Sequence, residues 1–565
     1  MLEQLSLRLK LVLATGILFL LSVGYSSNLL TARSDLSFNS THAYTYRAEP
    51  HAHALNTTTK RVAIIGAGAS GSSAAWFLTR AADVVAARLG VDRHALLDEI
   101  VVFDKNDYFG GRTTTVYPHG DRGLRAIELG GSIFVEANRH LNKGAKRFGL
   151  KVVDPDFSDP GEAIWDGARF LFSTSTSKSW WSQWRDNLAL LLRYGATSPQ
   201  RTTAAVQAFL SRIANLYDPA WLAQHGAAAS VDDFAERVLL GGEYTAGRGD
   251  EWALNAVGVN QRWMGEMWEA STRVNYAMDM HDIHALGAIV SVATPGAKSV
   301  EGGNWRIFKG MLDEAKVTSR LNTPVVDIVP LAETNGTGAP RFQVITNDGG
   351  DNGVFDQIFY AAPWYTRTPG GEDGTPPPTL QKHLTQPIRP TEYVRLHVTL
   401  LTTTRTGPDP VFFHLPPKTK LPLTILTTSA TWRAHPDLPF PRPDFQSISW
   451  HGETTPGSGE YVVKIFSLAP PTDAWLYRLL GEKPSWVLRK EWDAYPALRP
   501  LPTYPPVEPI KGVQYLAALE PWVSTMETQT LSAREAVARV VTGWWNLGYG
   551  ECQGGADAWD WSCEQ

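Results

Sequence analysis

RVAIIGAGASG, residues Arg61 to Gly71, is the stretch on which the fold turns. Val62, Ala63, Ile64 and Ile65 form an apolar run that enters a glycine turn at Gly66, Gly68 and Gly71, and an alanine-rich segment with helical character follows. A dinucleotide phosphate needs this order of strand, tight turn and helix start. The first glycine lets the chain turn sharply, the second lets backbone approach a pyrophosphate, and the third lets helix and strand pack closely. A helix opening near Ala69 aims free N–H groups and the positive end of its dipole at the phosphates. The pattern also occurs in other settings, so the flanking chain has to carry the reading.

Downstream, Ala74, Ala75, Phe77 and Leu78 supply a helix face, and IVVF, Ile100 to Phe103, reads as the next strand. It ends at Asp104, where a carboxylate accepts hydrogen bonds from ribose hydroxyls; a surface acid closing a strand is the structural alternative. Asp104 follows Gly71 by 33 positions. The usual spacing is about 20 residues, which places an insertion around Arg88 to Leu97. DKNDYFGGRTTT then sets Gly110, Gly111 and Arg112 just after the acid, and ELGGSIF carries Gly130 and Gly131. In this order the elements resemble FAD-dependent amine oxidases and their relatives, in which the GGR backbone and arginine reach the flavin side of the dinucleotide. The resemblance implies FAD.

The chain has 565 residues, 43% of them hydrophobic and 19% charged, which describes a globular protein of two or more domains. Its 52 basic and 57 acidic side chains leave a formal charge of −5, so nothing favours nucleic acid as a partner. Arg8 and Lys10 precede an apolar run from Leu11 to Val23, and Ser22 and Gly24 give a small-x-small cleavage pattern. The run is about 13 residues, against about 20 for a bilayer span. A cleaved signal peptide and an uncleaved signal anchor, the latter associating the chain with a membrane, both stand; either leads into the secretory lumen. Sequons at Asn39, Asn56 and Asn335 suit that compartment, as does a disulfide between Cys552 and Cys563, the chain's two cysteines. No metal site is expected from two cysteines at that spacing without nearby histidine.

Trp165, Trp180, Trp181 and Trp184 fall close together and read as core or interface rather than as cavity lining. Two later segments are specific. VNYAMDMHDIHALGAIVSVA, Val274 to Ala293, and VEGGNWRIFKGML, Val300 to Leu312, resemble the prenylcysteine oxidase (prenylcysteine lyase) family. WDAYP, Trp492 to Pro496, resembles another element of that family, with a proline-rich connector after it. LNTPVVDI looks like the strand in which flavin amine oxidases set a valine backbone, here Val325, against adenine, and VFDQIFYAAPW like the strand that returns beneath the cofactor. TEYVRLHVTLL alternates as a half-buried strand, and YVVKIF is a second candidate for a substrate-domain sheet. The last long segment, Tyr515 to Val541, resembles the closing flavin motif, which carries Glu527 to the ribityl or pyrophosphate region. Ser524 with Glu527, or Ser532 with Glu535, has capping-box spacing at its helix start.

The resemblance implies an α/β fold: a discontinuous Rossmann-type FAD-binding domain of the flavin amine oxidase/glutathione reductase type, with an interleaved α+β substrate domain. The expected division is a signal segment 1–32, a linker 33–60, FAD-binding segments 61–150, 311–367 and 511–548, substrate segments 151–310 and 368–510, and a tail 549–565. The cofactor residues expected are Gly66, Gly68, Ala69, Gly71, Asp104, Gly110, Gly111, Arg112, Gly130, Gly131, Val325 and Glu527. The family reaction is FAD-dependent oxidation of an S-prenylcysteine thioether by molecular oxygen, giving cysteine, a prenyl aldehyde and hydrogen peroxide. His284 and Glu301 are the candidates for a base that activates water. An FAD-dependent amine oxidase and a non-catalytic prenyl-binding escort remain alternatives. The expected location is the secretory lumen, lysosome or vacuole, with secretion or membrane anchoring as alternatives; oligomeric state is unassigned.

Overall fold

A computed structural model describes residues 58–155, 161–176, 179–332, 340–364, 376–437, 439–550 and 558–563. The N-terminal signal segment, all three sequons and Cys552 lie outside the described residues; Cys563 is disulfide-bonded. No helix among the described residues is long and apolar enough to cross a membrane.

The chain weaves twice out of one parallel sheet and back. It starts with β1 (Lys60–Ile65), α1 (Ala69–Leu89), β2 (Leu97–Phe103) and α2 (Arg139–Arg147). A first excursion contains β3 (Glu162–Trp165), β4 (Phe170–Ser173), α3 (Trp180–Tyr194), α4 (Thr197–Ala214), several short helices, α5 (Glu269–Tyr276) and α6 (Ala285–Val292). The chain returns through α7 (Trp305–Ala315), β5 (Thr318–Arg320), a meander of β6 (Val325–Leu331), β7 (Arg341–Thr346) and β8 (Asp351–Phe355), and then β9 (Gln357–Tyr360). A second excursion supplies β10 (Tyr393–Thr403), β11 (Thr424–Thr427), β12 (Ser447–Glu453), β13 (Tyr461–Ser467) and β14 (Trp486–Pro496). β15 (Val513–Tyr515) and α8 (Met526–Trp545) close the fold.

The parallel sheet has the order β15-β9-β1-β2-β5. Its central strand has no solvent face. Val62 and Ile64 pack into a core shared with α1, α7 and α8, while Ala63 and Ile65 join a core containing Phe342 and Phe355 of the meander. A helix layer on one side and an antiparallel layer on the other explain why β1 is apolar at every inward position instead of alternating. The long gap before Asp104 is mostly helix: α1 runs to a left-handed cap at Gly90, and a single 3₁₀ turn at Arg93–Ala95 leads into β2.

The second sheet has the order β14-β10-β13-β12-β11-β3-β4, with β3 and β11 parallel and the other neighbours antiparallel. β10 shows the expected alternation only in its first half. Lying between β14 and β13, it buries Thr399, Leu401, Thr402 and Thr403 as well as Val398 and Leu400. WDAYP is the end of β14, on the edge of this sheet.

Two expectations need correction. Trp165 is core, against Phe170 and Phe413, but Trp180, Trp181 and Trp184 stand exposed on α3. That helix turns its polar side inward: Asp186 accepts a bond from the Ser175 N–H, and Arg193 pairs with Glu266. The α8 cap is neither Ser524 nor Ser532. Thr525, in extended backbone, caps the Thr528 N–H while the Thr528 hydroxyl accepts from the Thr525 N–H, so a threonine takes the place of the expected glutamate.

Candidate functional site

The carboxyl ends of β1, β2 and β9 open onto a cavity of about 1130 Å³, lined there by Ile65, Phe103 and Tyr360. In an open α/β sheet this is where a ligand is held. Gly66, Gly68, Ala69, Asp104, Gly110, Gly111, Arg112, Gly130, Gly131, Val325 and Glu527 all line this cavity, although they come from six separated stretches of sequence. Gly71 does not line it. A Cβ at Gly71 would lie 1.9 Å from the Gly66 carbonyl oxygen, so its role is to let α1 sit against the turn.

The cradle is braced from within. The Gly110 N–H donates to the Ala67 carbonyl at 2.9 Å. Asp104 accepts from the Ala67 N–H at 2.7 Å and from the Asn106 N–H at 2.8 Å, so one carboxylate ties the glycine turn to the chain after β2; burial raises its pKa. A third backbone segment, Leu129 to Ser132, is fixed by Asn304 of the VEGGN element. The Asn304 N–H donates to Glu128 and its side-chain amide donates to the Gly131 carbonyl. From the other sheet, Lys464 donates to the Glu128 carbonyl at 2.7 Å and to the Ser132 hydroxyl at 3.1 Å. Burial lowers the Lys464 ammonium to about 8 and raises the Glu128 carboxyl to about 7.

Arg112 and Glu527 reach the cavity with their charged ends already engaged. The Arg112 guanidinium pairs with the buried Glu520 and donates to the Ala494 carbonyl. Glu527 accepts from the His140 and Leu141 N–H groups at the start of α2 and from the Tyr217 hydroxyl. Its carboxyl is raised to about 7 by burial. It locks α2 to α8, a role that the family resemblance did not assign to it.

Three observations test what this cradle fits. The N-cap of α1 is Gly68, with no side-chain cap and no acid in the first turn, so its leading N–H groups are available to an external anion. Gly66–Gly68, Gly110–Gly111 and Gly130–Gly131 present backbone to one space. Gln529, in the first turn of α8 and lining the cavity, is buried with both amide atoms lacking a partner among the described residues. Such a group is costly unless a ligand satisfies it. These features fit a flavin dinucleotide laid between α1 and α8, and the cofactor is FAD.

Beyond the cradle the wall becomes apolar and aromatic. α4 contributes Phe209, Leu210 and Ile213, α5 Val274 and Tyr276, and the seven-stranded sheet Leu426, Phe466, Trp492 and Tyr495. The rings of Tyr276 and Tyr495 meet edge to face at 5.6 Å. The Tyr495 hydroxyl is buried without a hydrogen-bond partner among the described residues, and burial holds both phenols neutral by raising their pKa.

Both catalytic candidates fall outside the cavity. His284 is the N-cap of α6: its Nδ1 accepts from the Gly287 N–H at 2.9 Å, so Nε2 donates to the Pro521 carbonyl at 3.1 Å. Full burial lowers it to about 4. Glu301 is exposed and pairs with Lys151 at 2.7 Å. Neither side chain meets the space where a substrate would lie. Lys464, Gln529, Trp492 and Tyr495 were not singled out from sequence as site residues. Lys464 had a legible signal, a lysine in the middle of the apolar strand YVVKIF; Gln529 had none.

Family models and curated relatives agree with this arrangement. A family model described as prenylcysteine lyase matches residues 176–552, and one for an NAD(P)-binding Rossmann-like domain matches residues 64–148. Farnesylcysteine lyase of Arabidopsis thaliana is 26% identical over 493 residues, covering 85% of this chain and 87% of that protein. Prenylcysteine oxidase 1 of Homo sapiens is 26% identical over 507 residues, covering 88% and 91%. Among solved structures, a putrescine oxidase with putrescine bound superposes with a TM-score of 0.48 at 15% identity, covering 86% of this chain and 99% of that one.

Proposed function

Because the chain belongs to the prenylcysteine lyase family, we propose that this prenylcysteine-cleaving flavoenzyme is an oxidase that splits the thioether of S-prenylcysteine into cysteine, a prenyl aldehyde and hydrogen peroxide. The observation that supports it most is the continuity of one cavity from the glycine cradle to an apolar, aromatic wall: a dinucleotide and an isoprenoid chain need opposite surroundings, and this cavity offers both in sequence. FAD, when bound, supplies the two-electron acceptor for a hydride from the prenyl carbon beside sulfur, and the electrons pass on to oxygen. Water then adds to that carbon, and the hemithioacetal collapses to thiol and aldehyde.

The chain's own residues act by holding, shaping and excluding. The α1 N-terminus and the paired glycines would receive the pyrophosphate, and Asp104, which braces the turn, would accept from the ribose. Gln529 offers an amide to the cofactor's polar edge. Trp492, Tyr495 and Tyr276 line the space beside Lys464, whose ammonium fixes the Glu128–Ser132 backbone. These neutral rings lower the water content around the reacting carbon, so that the water that attacks is positioned rather than bulk. With His284 and Glu301 outside the cavity, no histidine or exposed glutamate is assigned to that step. We also propose that the chain works in the secretory lumen, lysosome or vacuole, on the strength of the Leu11–Val23 segment and the bonded Cys563.

The purified chain should release peroxide, aldehyde and free cysteine in equal amounts from farnesylcysteine, and none of them from benzylamine or putrescine. Turnover of the amines with farnesylcysteine inert would establish an amine oxidase instead.

A further inference from the structure

Helix α3 is amphipathic in the opposite sense to a helix that serves a protein core. Trp180, Trp181, Trp184, Leu188, Leu191 and Leu192 recur at helical spacing and share one stripe, an arc of about 120° at 3.6 residues per turn. All six are exposed, Trp180 at 65%, Trp181 at 69% and Leu192 at 77%. The inward side carries Ser182, Asp186 and Arg193, with Leu190 and Tyr194 as its apolar contacts. Six large apolar side chains aligned towards water form a surface that soluble chains seldom expose without using it.

We infer that the outward face of α3 docks on an anionic lipid membrane. Three observations select that occupant. Two neighbouring tryptophans with leucines behind them, bounded at the edge of the stripe by the exposed Arg185, have the composition of an interfacial helix: rings and aliphatic chains at the headgroup boundary, a guanidinium among the phosphates. Charge agrees at the stripe itself: the exposed Arg185 borders it, no acid falls among its six apolar positions, and the one acid of α3, Asp186, lies on the inward side. Position agrees too. α3 continues through a short turn into α4, whose Phe209, Leu210 and Ile213 wall the apolar half of the cavity. The helix that meets lipid is therefore hinged directly to a helix that meets the ligand. Docking itself does not depend on the thioether reading; it would give an isoprenoid substrate dissolved in lipid a short path to the cavity if that reading holds.

The test uses the full chain with vesicles of phosphatidylcholine alone or mixed with phosphatidylserine. Wild type should sediment with the mixed vesicles, less so at high salt, and a Trp180→Ser/Trp181→Ser/Leu192→Ser variant should partition roughly tenfold more weakly while keeping its flavin absorbance. Because Leu11–Val23 could hold the chain on vesicles by itself, a local reporter is also needed. An environment-sensitive fluorophore on a Leu192→Cys variant should shift to the blue when mixed vesicles are added. A bound chain whose reporter does not shift, or a triple variant that binds as well as wild type, would overturn the inference. So would a wild-type chain that ignores vesicles but loses self-association in the triple variant, since a second copy would then cover α3.

Discussion

Lys464 sits in an apolar strand, surrounded by side chains that would rather exclude it, and its burial is balanced by the Glu128 carbonyl, the Ser132 hydroxyl and the Glu128 charge. Replacing it by methionine should leave flavin bound but lower turnover by about 100- to 1000-fold, the range seen when a fixed polar group is removed from a water-poor site. Since the ammonium titrates at about 8, wild-type turnover should also show an alkaline limb near that pH, absent in Lys464→Met. A pH–rate profile identical in the two proteins would count against the role. His284 makes the contrasting case. Its folded pKa is about 4 against an ordinary 6.5, so between those values the unfolded chain takes up a proton that the folded chain refuses, and stability falls as pH falls. His284→Asn keeps a cap on α6 without the titration. It should retain turnover and, in acid unfolding, lose less stability than wild type by on the order of 3 kcal/mol between pH 6.5 and 4; parallel curves would contradict this. A sequence shows that a histidine or glutamate has useful chemistry but not whether it faces the cavity, which is why His284 and Glu301 stood as candidates although neither side chain lines it.

At the scale of elements, β1, its glycine turn and α1 were legible because each local requirement has a residue type that meets it. Gly71 is the sharpest case: Gly71→Ala would force a Cβ to within 1.9 Å of the Gly66 oxygen. The substitution should destabilise the chain by about 3 kcal/mol or more and release flavin, read by thermal unfolding and by loss of visible absorbance. Capping was less legible, because serine and threonine at neighbouring positions offer competing boxes. Thr525→Ala should cost about 1 kcal/mol, whereas Ser532→Ala removes a bond from the second turn of α8 to the Leu516 carbonyl outside the helix and leaves the cap intact. α3 was only half legible, for a different reason. Periodicity gives an apolar stripe but not its partner, and here the stripe points away from the protein.

For the whole molecule, the weave was readable because the cofactor motifs return in order along the chain: VFDQIFYAAPW supplies β9 and the closing segment follows β15, both in the sheet of β1 and β2, while LNTPVVDI supplies β6 of the meander packed against that sheet. The depth of the cavity was not readable, since its apolar wall is assembled from α4, α5, β11, β13 and β14, elements distant in sequence. One consequence of the weave is that the last strand and helix cannot be spared. A chain ending before Val513 lacks β15 beside β9 and the helix that buries Val62 and Ile64, and it should yield no soluble flavoprotein. The central claim is that the cradle and the apolar wall serve one reaction, and it is tested most directly by adding farnesylcysteine to the purified flavoprotein without oxygen. The visible flavin absorbance should bleach in a single turnover with one equivalent of prenyl aldehyde formed, and return when air is admitted; a spectrum unchanged by farnesylcysteine would contradict it.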